Sequence, residues 1–346
     1  MAEQAMVTNE LKAGGHLISK MVSLGKTGAG KEFASVSLTL EIGENQRVQI
    51  DLFSMKHTSS GAESKIYQNL MTIKDEYKSL DSQFVDRRNT KDAQPKKLEA
   101  TTVATKEETD FVFANKGIKL TNNRYMNANG ELVTTFRLTT NFVNRAKEGA
   151  NREPYLEGNL YGVCENDAEK IMNNEGDIVG LKLNFLVPEF RKGYTNAFGD
   201  QVADSIAVER FELILRELGD GALEYCEEIF VKNGVCCIGV EPMVRVEQEM
   251  VKKEPTEKRG FGKIASFEPT TKTTREIRIV GGFDLQEDEY ENDPNFNFEL
   301  FQEGIKALDS KIEEMKEGQG KTVEVSRGFG RGGSSSGGNR NTGLPF

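Results

Sequence analysis

The stretch 132-LVTTFRLTTNFV-143 alternates apolar and polar side chains, and the segments on either side of it do the same. Upstream, residues 111–120 read as a strand, and Asn129-Gly130 marks the turn before 132. Downstream come 155-YLEGNLY-161, 177-DIVGLKLNFLV-187 and 211-FELIL-215, with residues 165–172 expected as a short helix among them. A period of two is the mark of a strand with one face in a core. Nearer the N-terminus the order recurs at shorter length. Residues 16–24, 34-ASVSLTLEI-42 and 47-RVQIDLF-53 read as strands, with Gly43-Glu44-Asn45 as a hairpin turn. Ile66, Leu70, Ile73 and Tyr77 then share one helical face within residues 63–80. Three strands, a short helix and two further strands is the order of an OB-fold, a five-stranded Greek-key barrel. Two unrelated small β domains is the other reading of the same pattern.

The expected fold is therefore mainly β with short helices: tandem OB-fold barrels followed by a disordered Gly-rich C-terminal tail. A first barrel is expected over residues 13–85 and a polar linker or long loop over 86–109. A second barrel with an insertion is expected over 110–283, an acidic segment with a helix over 284–317, and the tail over 318–346. Phe298, Phe301, Ile305, Leu308, Ile312 and Met315 form a helical stripe whose simplest role is packing on the body. Phe136 and Phe142 share the parity of Leu132 and Leu138 and are expected in the core.

Composition removes several function classes. The net charge is −10, concentrated in residues 284–317, where twelve acids face three bases; the tail beyond carries four bases and one acid. A near-neutral body can still hold a strand of nucleic acid if its bases line one groove. No apolar run approaches the ~20 residues of a membrane span, and MAEQAMVTNELK has no apolar signal core, so a cytoplasmic protein is expected. Cys164, Cys226, Cys236 and Cys237 lack zinc spacing, and His16 and His57 are the two histidines of the chain. No metal, cofactor or catalytic constellation is expected. Residues 25–31 (GKTGAGK) fit a phosphate-binding GxxxxGK, but Glu32 stands where Ser or Thr would hold magnesium, and a strand pattern follows instead of a helix. Those glycines are better read as a hairpin tip presenting Lys26 and Lys31.

Several motifs occur in a telling order: 124-RYMNANG-130, 136-FRLTTN-141, 155-YLEGNLYG-162, 165-ENDAEKIMNNEGDIVGLKLNF-185 and the late 277-IRIVGG-282. Together with a Gly-rich tail ending in Leu344-Pro345-Phe346, this order resembles the bacterial and phage single-stranded DNA-binding protein family. The similarity is concentrated in residues 111–190. Two barrels in tandem, and an Asn339–Gly343 stretch where the family has an acidic tip, depart from its pattern. The resemblance implies a non-enzymatic protein, expected to be phage-encoded, that coats single-stranded DNA without sequence preference during replication or recombination. It implies base stacking by Tyr155 and Tyr161, with Phe190 or Tyr194 covering a third position and Phe53 serving in the first barrel. Because Arg47 stands where Tyr155 would correspond, the second barrel is expected to bind more strongly. Arg124, Arg137, Arg145, Lys147, Arg152, Arg191 and Lys192 are the expected phosphate partners, with Lys26 and Lys31 at the first barrel's tip. Leu344, Pro345 and Phe346 form a tethered hook for replication or recombination proteins, and the acidic segment can act as an internal competitor for the basic groove. Homo-oligomers are compatible with the family. A virion tail or baseplate β-barrel component, and an RNA-binding or annealing factor, are the alternative functions.

Overall fold

The computed structural model describes residues 9–44, 46–58, 60–90, 92–127, 129–147, 149–195, 200–216, 221–253 and 266–317. The tail and its Leu344-Pro345-Phe346 terminus lie outside the described residues. Strands β1 (Leu11–Lys26), β2 (Glu32–Gly43) and β3 (Gln46–Met55) are followed by helix α1 (Lys65–Glu76), then β4 (Asp81–Asp86) and the two-residue β5 (Lys96–Lys97). Next come β6 (Phe111–Met126), β7 (Leu132–Thr139), β8 (Asn144–Arg145), β9 (Tyr155–Cys164), β10 (Glu169–Met172) and β11 (Ile178–Arg191). The short β12 (Tyr194–Thr195) and β13 (Gln201–Val202) precede β14 (Ser205–Arg216), α2 (Ala222–Ile229), β15 (Val235–Lys253) and β16 (Ser266–Asp284). Helices α3 (Glu287–Tyr290) and α4 (Phe298–Glu317) follow.

Hydrogen bonding closes these strands into two rings. In the first, β1 pairs with β2, β2 with β3, β3 runs parallel to β7, β7 pairs with β6, and β6 returns to β1. In the second, β9 pairs with β11, β11 with β14, β14 runs parallel to β16, β16 pairs with β15, and β15 returns to β9. Each ring has five strands, with α1 or α2 between its third and fourth. This is the OB-fold connectivity, twice. Alternate residues fill each interior: Ala34, Val36, Leu38 and Leu40 from β2, and Leu181, Leu183, Phe185 and Val187 from β11.

The pairing divides the chain differently from the order of motifs. Residues 111–139 close the first ring, so that ring spans β1 to β7 and not 13–85; the second begins at β9. The stretch 177–187 thus enters the second strand of its barrel, not the fourth. Residues 86–109 are not a free linker. Ser79 bridges Thr102, β5 pairs with β4, and Thr101 and Thr109 are buried. Residues 169–172 are a strand and not a helix. The Asn173 side chain accepts from the N–H of Glu175 and Asp177, and Gly176 takes φ +89°, folding β10 back onto β11. Phe136 is half-buried against the core, but Phe142 is 51% exposed, because β7 has already ended at Thr139.

The rings are interlocked. Their first strands pair antiparallel, from Leu11 opposite Gly158 to Gly14 opposite Tyr155. The fourth strand of each ring also reaches the third strand of the other. β15 pairs with β3 at Val244–Arg47 and Arg245–Gln46. On β6, Asn122 Nδ2 donates to the Arg210 carbonyl of β14 at 2.7 Å, and Arg124 Nη1 donates to Glu209 Oε2 at 3.0 Å. This exchange gives the pair an approximate two-fold arrangement of elements.

Candidate nucleic-acid interface

The outer faces of the barrels are where a strand of nucleic acid can lie, so the side chains opposite in parity to the core decide what each ring offers. On β2 and β3 these include Phe33 and Phe53, half-buried, with ring centroids 5.3 Å apart and planes tilted by 36°. Phe33 lies across Gly25, where a Cβ would stand 2.4 Å from Phe33 Cζ. The first glycine of the GxxxxGK look-alike is therefore the floor under an aromatic ring. The loop itself is a tight turn, with Thr27 N–H donating to the Lys31 carbonyl at 2.9 Å and Gly30 at φ +75°.

Cations gather beside this pair. Glu32, next to Phe33, is met by Lys56 Nζ at 3.0 Å, Arg88 Nη1 at 3.8 Å and Lys26 Nζ at 3.9 Å. Arg88 also grips Asp86, with Nη2 at 2.6 Å from Oδ2. The Lys56 hydrogen bond and the surrounding positive charge hold the Glu32 carboxyl below its ordinary value, and the Arg88 bonds push Asp86 down to about 2. Arg87 is anchored beside this group through its N–H to the Leu24 carbonyl, and Lys31 is exposed at the turn. Counting Lys31 and Arg87, exposed at neighbouring chain positions, five bases stand against Glu32, Asp86 and Glu63, the last acting on Lys56. A half-exposed aromatic pair with an excess of positive charge is the chemistry that holds unpaired bases and their phosphates.

On β9, Tyr155 and Tyr161 are half-buried on the outer face, opposite in parity to Leu156 and Leu160. Their surroundings differ from those of the phenylalanines. Tyr155 packs across the seam onto Gly14, where a Cβ would stand 2.5 Å from Tyr155 Cε1. It lines a cleft of about 320 Å³ with Ile42, Gln46, Glu157, Glu241 and Met243. Burial, and then Glu157, push its phenol up. Tyr161 is raised by burial and by its bond to the Cys237 thiol across the strand pair. Phe190 packs under α4, and its N–H donates to Asn295 Oδ1 at 2.7 Å. Tyr194 is 62% exposed on the β12–β13 hairpin.

The expected phosphate partners are scattered. Arg124 is held by Glu209, and Arg191 lies 3.7 Å from Glu189. Arg145 stands between Glu76 at 3.6 Å and Asp110 at 3.7 Å and over the Tyr77 ring. Arg137 is half-buried on β7. Lys31, Lys147, Arg152 and Lys192 are exposed and make no ion pair among the described residues. The structure brings Phe53 and Lys26 together with Phe33, Lys56 and Arg88, which sequence reasoning passed over. Phe33 carried a usable signal in its outward parity on β2; Lys56 and Arg88 carried none, since they reach the corner from different elements. Among the described residues no group of His, Cys, Asp and Glu is placed to hold a metal ion, and no helix is long and apolar enough to cross a membrane.

Ring closure and this surface define a tandem OB-fold protein with an aromatic, cationic corner. The chain belongs to the YorF family, whose model matches residues 8–94 and 97–318. No curated protein matches its sequence. Among solved structures it is similar to the wild-type single-stranded DNA binding protein from Thermus aquaticus, at 9% identity and a TM-score of 0.40, covering 82% of this chain and 95% of that one. A deletion mutant of the same protein gives 11% identity and a TM-score of 0.41, covering 82% and 97%. Plasmodium falciparum SSB in complex with ssDNA gives 10% identity and a TM-score of 0.21, covering 38% and 94%.

Proposed function

We propose that this protein binds single-stranded DNA without sequence preference, as a non-enzymatic coating factor in phage or bacterial replication or recombination. The observation that carries the reading is the Phe33–Phe53 pair on the outer face of the first barrel's second and third strands, with Lys26, Lys56 and Arg88 gathered at Glu32 beside it. Stacking on aromatic rings accepts any base and contributes roughly 1–3 kcal/mol per base. The reading ranks the first barrel above the second, the reverse of the expectation drawn from motifs, because Tyr155 is engaged at the seam beside Glu157 and Glu241.

The test is oligo-dT binding against duplex DNA across a salt series. Phe33→Ala with Phe53→Ala should weaken oligo-dT binding by roughly 10- to 1000-fold, the loss of one or two stacked bases. Affinity should fall with salt with a logarithmic slope of about −0.7 per phosphate neutralised. Parent-like affinity in the double variant, or equal affinity for duplex, would falsify the assignment. A marked preference for oligo-U would favour an RNA-binding role, read through the 2′-hydroxyl.

The terminal Leu344-Pro345-Phe346 is proposed as a hook for replication or recombination proteins, an apolar tip with a carboxylate on a Gly-rich tether. Its removal should leave oligo-dT affinity unchanged and abolish capture of such a partner in pull-downs from host extract; undiminished capture removes the hook.

A further inference from the structure

The outer face of strands two and three carries the half-buried Phe33 and Phe53 in the first ring and lies under a helix in the second. Helix α4 lies along β14, with Phe301 and Leu308 buried against Leu186, Ile206 and Val208. Gly304 sits at the closest approach. A Cβ there would stand 2.5 Å from the Ile206 carbonyl oxygen and 2.8 Å from Val208 Cγ2. Glycine inside a helix costs about 1 kcal/mol relative to alanine, and here it lets the helix touch the strand. Asp309 Oδ1 accepts from Arg210 Nη2 at 3.0 Å, on a guanidinium that also donates to Glu165 at 2.6 and 2.7 Å. Phe190, an outward aromatic at the end of this ring's second strand, is covered by the same cluster. An apolar stripe therefore lies where bases would stack, and a carboxylate meets the arginine where a phosphate would.

We propose that α4 is a built-in occupant of the second ring's ligand face, standing in for a nucleic-acid strand, so that each chain presents one open single-strand face, on the first ring. The inference rests on the reading of the first ring given above. The strand-two and strand-three face is the surface through which OB barrels take oligonucleotides, and α4 brings to it both an apolar surface and negative charge. Residues 298–317 hold six acids and three bases, so the helix that covers the face also brings net negative charge against a second polyanion.

The experiment is stoichiometric titration of an oligo-dT of roughly ten nucleotides, within the span of one OB-fold. It uses the full chain and its Gly304→Val and Asp309→Arg variants. Amide hydrogen exchange reports whether α4 has lifted, and circular dichroism reports whether the barrels remain. The full chain should bind one equivalent, and a variant with freely exchanging α4 amides should bind two. Adding Phe190→Ala to that variant should remove the second equivalent alone. Two equivalents on the full chain would overturn the proposal, as would one equivalent on a variant whose helix is free. Should Gly304→Val fail to fold, Asp309→Arg carries the same comparison. Failure of the first-ring reading looks different: the parent binds nothing, and a first equivalent appears only when α4 is released.

Discussion

Lys20 shows what a single buried charge can demand. It lies on β1, fully buried, and its Nζ donates to the carbonyls of Ile73 at 2.9 Å, Lys74 at 2.9 Å and Tyr77 at 2.5 Å. Ile73 and Lys74 lie in the last turn of α1 and Tyr77 is its C-cap; the Ile73 carbonyl also accepts from the Tyr77 N–H at 3.3 Å, and a cation suits that end of the helix dipole. Burial pushes the ammonium down to about 8, against the pull of Asp110 and Asp75. The sign follows from proton counting. Between pH 8 and the ordinary lysine value of about 10.5 the unfolded chain binds more protons than the folded one, so this group makes stability rise with pH across that window. Lys20→Met should cost about 3 kcal/mol or more near neutrality, because buried carbonyls lose their partner. In urea titrations at several pH values, the gap between parent and variant should widen from pH 8 to 10.5; a constant gap would show that Lys20 does not titrate there. Nothing in the sequence marked Lys20. Its neighbours Ser19 and Met21 are ordinary strand residues, and the three carbonyls belong to an element over fifty residues away.

At the scale of elements, local period was legible and partnership was not. The alternation in 34–42, 47–53, 132–143 and 155–161 identified strands because each strand has one face in a core. It could not say which strands share a ring. β6 and β7 look like the start of a barrel because they form a hairpin that precedes β9, yet β7 runs parallel to β3 and β6 returns to β1. That information lies in the complementarity of side chains far apart in the chain. The seam between rings depends on a similar fit. Gly158 faces Leu11, and a Cβ at Gly158 would stand 2.6 Å from Leu11 Cγ and 2.9 Å from Leu11 Cα. Gly158→Val should therefore force β9 away from β1 and destabilise the protein by about 1–3 kcal/mol, the usual cost of overpacking. Gly28→Val, at a turn position where a Cβ meets nothing within 4 Å, is the control. Equal melting temperatures for the two variants would mean the β1–β9 approach is looser than its register implies.

For the whole molecule, the interlock decides how the chain unfolds. Two OB barrels joined by a linker would melt separately, since each has its own interior. Here the first strands pair across the seam, β15 reaches β3, β6 reaches β14, and the buried apolar side chains of both rings form one cluster from Leu11 to Ile279. Opening the second ring alone would strip β1 of a neighbour along Leu11–Gly14 and leave the outward groups of Asn122 and Arg124 without partners. Opening the first would do the same to β9 and to the base of β15. Each ring thus loses stability when the other opens, and partly opened species are disfavoured against both end states. Unfolding should be a single cooperative transition, with calorimetric and van't Hoff enthalpies equal. The Gly158→Val substitution acts on the coupling itself, so it should broaden or split that transition in addition to lowering it. A parent that already melts in two resolved steps would show that the crossing strands hold the barrels side by side without making them one folding unit, and that a bound strand at the Phe33–Phe53 corner stabilises only the ring that carries it.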